Sequence, residues 1–185
     1  MVSNLARALV WLLFLIGGAL LGIKIDLIVW PSLWSSLPWH ALSALSGLLL
    51  LRLVLRVSRV TGRWLARCGR VGELPRMQTN RLVTAGPYAC MRHPMHLGLM
   101  LFPLAFALLL GSPAFAFVIA PLEALLILIM VFLLEEREAK KKFGAEYAAY
   151  ASRVPAFNLS RSCLQLLLQE PPENPDCTRD FIIAD

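Results

Sequence analysis

Apolar residues in this chain come in long runs, and its polar residues gather in the gaps between them. A bilayer core of about 30 Å needs roughly 20 apolar residues to cross as a helix. Leu5 to Ile23 is the first such run, with Arg7 near its start. It is too long for the apolar core of a signal peptide, and no A-x-A-like site follows it. The stretch is therefore expected to be a retained transmembrane helix. Lys24 to Trp39 reads as a connection, its Trp30, Trp34 and Trp39 suiting a membrane interface. A second helix is expected after Pro38, ending near Val57, with Arg52 and Arg56 snorkelling to the headgroups. Leu97–Leu110 predicts a third, short helix, and Ala114–Leu134 a fourth, bent at Pro121. The break at Gly111-Ser112-Pro113 makes these last two an antiparallel hairpin. From Glu135 the helix should continue past the membrane surface, with Glu136/Lys140 and Glu138/Lys142 at i, i+4 and an interruption at Gly144. The expected fold is all-α and multi-pass, with about four spans and a cytoplasmic C-terminal helical region. Residues 1–159 form the membrane domain, and the Pro- and acid-rich stretch 160–185 is expected to be a disordered tail.

Composition agrees with a membrane protein. Hydrophobic residues make up 58% and charged ones 16%, against about 25% charged in soluble domains. The net charge of +6 raises nucleic acid or anionic lipid as partners. Of the 18 Lys and Arg, however, only Lys24 falls on the side of the 24–39 connection and the 111–113 turn. That is a positive-inside pattern, which places both termini and the polar clusters in the cytoplasm and leaves no call for nucleic acid. Cys68, Cys90, Cys163 and Cys177 show no metal-ligand spacing and are expected as reduced thiols on that face. Three histidines are too few for a histidine-rich di-iron site, and no metal is expected.

Two polar clusters could carry chemistry. Arg81 to Gly98 reads RLVTAGPYACMRHPMHLG, and Glu135 to Tyr150 reads EEREAKKKFGAEYAAY. Taken singly, each residue has an ordinary role. Arg81 and Arg92 suit membrane anchors, Tyr88 an interfacial tyrosine, His93 a helix cap before Pro94, and Glu135 and Glu136 a solvated helix face. Glu123 is a carboxyl within a span, about 18 Å along the helix from Glu135, and so either a functional group or a packing residue beside Pro121.

In combination, LVTAGPY (82–88), RHPMHLG (92–98), a hairpin, EE (135–136), FGAEY (143–147), Tyr150 and VP (154–155) form an ordered pattern within residues 80–155. This pattern resembles the isoprenylcysteine carboxyl methyltransferases and their phospholipid methyltransferase relatives. The resemblance implies an S-adenosylmethionine-dependent methyltransferase made of membrane helices, without a Rossmann domain. It implies cofactor contacts at Asn80, Arg81, Leu82, Val83, Tyr88, His93, Pro94, Met95, His96 and Glu135. Arg92, His93 and Glu136 would stand near the reacting groups. An anion at Glu135 would suit the cofactor's ammonium, and donors at Arg92 or His93 its carboxylate. The implied partners are the lipid bilayer and a lipid or small hydrophobic methyl acceptor at the cytoplasmic face. Position 96 is His where the family has Tyr. Position 131 is Val where prenylcysteine-specific members carry Arg, which points away from prenylcysteine. The rival readings are an NADPH-dependent membrane reductase of the sterol reductase type and a non-enzymatic scaffold or transport partner.

Overall fold

The computed structural model describes residues 4–73 and 78–177. The helices are α1 (Asn4–Val29), α2 (Pro31–Trp34), α3 (Leu37–Cys68), α4 (Pro94–Leu110), α5 (Ala120–Met130), α6 (Glu136–Ala151) and α7 (Arg161–Leu166). A 3-10 turn at Gly86–Ala89 precedes α4. Wide π turns at Phe115–Ile119 and Val131–Glu135 run continuously into α5 and α6. There is no strand among the described residues.

Three stretches are long and apolar enough to cross a bilayer: Leu9–Val29, Leu37–Cys68 and Phe115–Ala151. Their large apolar side chains face outward, with Leu13 and Ile28 73% and Phe117 67% exposed on the protein surface. Such a surface requires lipid around it, and the protein is an integral membrane protein. The fourth expected span, α4, has 17 residues. At 1.5 Å per residue it reaches roughly 26 Å, short of the hydrocarbon thickness.

The chain forms two compact units, the first comprising the described parts of Met1–Val54 with Leu99–Leu128. Its core packs Ala19, Ala107, Ala116 and Ala120 around Phe115. Small residues let membrane helices approach closely, since lipid supplies no hydrophobic drive between them. Two expectations are corrected here. The first helix does not stop at Ile23, and most of the 24–39 connection is helical. Asp26 is the reason that α1 can continue: fully buried, it accepts from the Ser112 hydroxyl and from the Ala114 N–H at 2.8 Å. It thereby caps the start of the last long helix from outside. The turn itself behaves as expected. Gly111 takes φ +69°, Trp39 Nε1 donates to its carbonyl at 2.8 Å, and Ser43 Oγ donates to Leu108 O at 2.7 Å. Before Pro121, which has no N–H to give, the helix widens into the first π turn.

The second unit comprises Leu55–Gly98 with the described part of Ile129–Asp185. Here α3 runs on to Cys68 rather than ending near Val57. The basic residues after Arg56 conceal a buried stripe, Val57, Val60, Trp64 and Cys68, at helical spacing. Val60, Trp64 and Cys68 of the stripe pack on Val83, Ala85 and Tyr88, and Val57 on Cys90 and Met91. Gly144 breaks α6 at φ +55°, as its position suggested.

The tail and the cysteines also differ from expectation. Residues 160–177 are folded: Ser160 caps α7, and Cys163 and Leu167 are buried against Val57, Cys90 and Met91. All four cysteines are paired, Cys68–Cys177 and Cys90–Cys163, so the reduced state expected from the charge pattern is not the one seen. Composition could not reveal a partner surface made by α3 and the loop before α4. Residues 178–185 lie outside the described residues.

Candidate functional site

The second unit contains a cavity of about 270 Å³. The loop before α4 and the first turn of α4 supply Arg81, Leu82, Val83, Tyr88, Arg92, His93, Pro94, Met95 and His96. The last long helix supplies Glu135, and from there on Ala139, Phe143, Tyr147 and Tyr150. The two polar clusters of the sequence therefore meet. An adjoining cavity of about 400 Å³ shares Leu65, Thr79 and Met95 and adds Gly62, Ala66, Arg70 and Gln78.

Glu136 holds the clusters together. One of its carboxylate oxygens accepts from Arg92 Nε at 2.9 Å, from the far Arg92 nitrogen Nη2 at 2.8 Å, and from His93 Nε2 at 2.8 Å. Arg92 Nη1 donates to the carbonyls of Ala151 and Val154, at 3.0 and 2.7 Å. Its guanidinium thus satisfies the C-terminal carbonyls of α6 as well as the carboxylate. The backbone adds two bonds, Arg92 N–H to Pro155 O at 3.0 Å and His93 N–H to Ala156 O at 3.1 Å. These contacts explain why the VP pair follows the tyrosines in the sequence pattern. The Tyr150 hydroxyl donates to Tyr88 O at 2.5 Å and fixes the 3-10 turn.

Burial pushes the His93 imidazole below its ordinary value, against the upward pull of Glu136. A neutral imidazole that faces a carboxylate through Nε2 must carry its proton there. Nδ1 is then left with a lone pair. One phenol is orphaned: the Tyr88 hydroxyl is buried and has no hydrogen-bond partner although the residue lines the cavity, whereas the buried Tyr147 hydroxyl stands beside Glu136 and Arg92. Burial, and then Tyr150, push the Tyr88 phenol well above its ordinary range, so it stays a donor. A buried donor without an acceptor is costly, and a polar ligand would relieve it.

Of the residues singled out from sequence, Asn80 and Glu136 do not line the cavity. The Asn80 side chain instead closes the preceding loop by exchanging two hydrogen bonds with Val71, at 2.9 and 2.8 Å. Glu136 lies behind Arg92 and His93, while Glu135 faces the cavity. Tyr147 was visible only as part of the FGAEY element. Its signal was the spacing of three to Tyr150, which puts both rings on one helix face, with centroids 6.0 Å apart. No group of three or more His, Cys, Asp or Glu able to hold a metal occurs among the described residues.

A family model described as phospholipid methyltransferase matches residues 39–146, more than half of the chain, including the first polar cluster and Glu135 to Glu146 of the second. No curated protein and no solved structure matches the chain.

Proposed function

The chain belongs to the phospholipid methyltransferase family and is a membrane methyltransferase; on that premise we propose that it uses S-adenosylmethionine, bound in the 270 Å³ cavity. The observation that carries this reading is the orphaned Tyr88 hydroxyl in a cavity that also presents a carboxylate and cations. The cofactor presents a carboxylate, an ammonium and a polar adenosine, and the lining offers a counterpart for each. Glu135 is the anion for the ammonium. Arg81 and the Tyr88 hydroxyl are donors for the carboxylate and the sugar or base. Phe143 and Met95 add apolar wall.

When bound, the cofactor supplies an electrophilic methyl group. The protein's share is to hold the acceptor in line with it and to keep water away. The adjoining cavity, with Leu65, Ala66 and Met95 as apolar wall and Arg70, Gln78 and Thr79 as polar groups, is the place for a lipid or small hydrophobic acceptor. Arg92 acts as a positioning residue, because its guanidinium is spent on Glu136 and two carbonyls. For an amine or hydroxyl acceptor, His93 Nδ1 takes the proton while Nε2–H stays on Glu136. The face is cytoplasmic on the charge pattern.

The experiment is transfer from methyl-labelled S-adenosylmethionine to a total lipid extract by the purified protein. Label in the lipid fraction supports the reading. Label confined to water-soluble products, or no transfer with cofactor bound, contradicts the lipid acceptor.

A further inference from the structure

The two disulfides fasten one segment to two others: Cys177 to Cys68 at the end of α3, and Cys163 to Cys90 in the loop before α4. Cys163 and Cys177 lie on the strap formed by residues 160–177. Cys90 lies between the cavity residues Tyr88 and Arg92, and Cys68 packs against Val83 and Tyr88. The strap is thus fastened to the cavity loop directly through Cys90–Cys163, and through Cys68–Cys177 to the helix end that packs against that loop. No strap residue lines the cavity itself, so the strap supports the site and does not plug it.

Besides the sulfur bonds the strap is held mainly by polar contacts to backbone carbonyls and by a small buried patch. Arg63 meets Glu170 at 2.6 Å, but both side chains are about half exposed, at 52% and 43%. Arg56 and Trp64 reach the Leu168 and Gln169 carbonyls only at 3.3 Å. Arg67 donates to the carbonyls of Pro171, at 2.7 Å, and Pro172. The buried apolar contact of the strap is Cys163 and Leu167 against Val57, Cys90 and Met91, with Pro171 buried and Cys177 packed at the Trp64 cluster. Yet this strap stands among nearly all of the chain's Lys and Arg, the side that the charge pattern assigns to the reducing cytoplasm.

We propose that Cys68–Cys177 and Cys90–Cys163 form a redox-modification site, in which a dithiol reductant releases the strap and loosens the cofactor-binding loop. The coupling to the cofactor rests on the function proposed above. Each bond takes up two electrons and two protons to give two thiols, while the reductant's dithiol becomes a disulfide. In the reverse direction hydrogen peroxide oxidises two thiols to the disulfide and is itself reduced to two waters. The order is set by burial. Cys177 is half-buried, whereas Cys68, Cys90 and Cys163 are 2%, 1% and 0% exposed. Attack therefore starts at the Cys177 sulfur, forms a mixed disulfide there and expels the Cys68 thiolate. The strap then lifts and uncovers the second bond. The oxidised protein is the tighter-binding form, and reduction lowers affinity.

The test uses the detergent-purified protein in air and after dithiothreitol, with thiols counted by alkylation. Hydrogen exchange is followed at the Leu164 and Leu167 amides of the strap and the Tyr88, Arg92 and His93 amides of the loop. Reduction is expected to speed exchange at both sets by at least about tenfold. If the loop keeps its binding geometry a tenth of the time, S-adenosylmethionine binds about tenfold more weakly. Cys163→Ser/Cys177→Ser is expected to match the reduced protein and to ignore dithiothreitol. Bonds that resist dithiothreitol in the folded protein overturn the proposal. So does unchanged exchange at the loop after all four thiols appear. If neither form binds S-adenosylmethionine, the exchange data still decide whether the strap is redox-released, and the failure falls on the cofactor assignment.

Discussion

Glu136 shows how much a single residue can depend on its helix register. The sequence presents Glu135-Glu136 as a pair and says nothing of which faces where. The π turn at Val131–Glu135 settles it, turning Glu135 to the cavity and Glu136 to Arg92 and His93. Residue types and their order were thus legible, because RHP and EE stand out between apolar runs. The division of labour was not, because no local pattern marks a π turn. His93 gives a consequence that can be measured. Burial lowers its affinity for protons below that of the unfolded chain, whose value is near 6.5. Between the two values the unfolded state binds more protons, so stability is complete above pH 6.5 and is lost as pH falls. Thermal unfolding from pH 8 to 5 is expected to show a falling midpoint below pH 6.5, and His93→Gln to flatten that slope. An identical slope in the variant contradicts the assignment.

Among the elements, helix existence was legible and helix ends were not. Leu5–Ile23 and the run after Pro38 were recognisable from their apolar length, yet α1 reaches Val29 and α3 reaches Cys68. Both extensions depend on partners distant in sequence: Ser112 and Ala114 for Asp26, and Val83, Ala85 and Tyr88 for the α3 stripe. Gly144 and Gly86 separate two costs at this scale. Both have positive φ, +55° and +61°, which an L side chain rarely adopts. A Cβ at Gly144 would meet nothing within 4 Å, whereas one at Gly86 would lie 2.4 Å from the Trp64 ring. Gly144→Ala, at φ +55° and ψ −127°, is expected to cost about 1–3 kcal/mol from backbone strain alone. Gly86→Ala adds an overpacking cost of about 1–3 kcal/mol. Chemical unfolding of both variants checks the order, and equal losses would contradict the packing of the 3-10 turn on Trp64.

For the whole molecule, the apolar runs and the loop charges carry the membrane reading, and the outward leucines agree with it. A reporter placed near Gly72 or fused after Asp185 is expected to be active only in the cytoplasm. Activity on the opposite side would reverse the orientation and with it the reducing surroundings of the strap. The folded strap was the largest feature hidden from the sequence, since the spacing of four cysteines does not reveal their pairing. The central claim is that the two polar clusters make one S-adenosylmethionine pocket, and calorimetry on the purified protein tests it most directly. S-adenosylmethionine is expected to bind and NADPH not to bind. Glu135→Gln removes the anion while keeping its shape and is expected to weaken binding roughly ten- to a hundredfold. Glu138→Gln, on the exposed face, is expected to leave it unchanged. NADPH binding in its place, or equal losses in the two variants, would contradict the account.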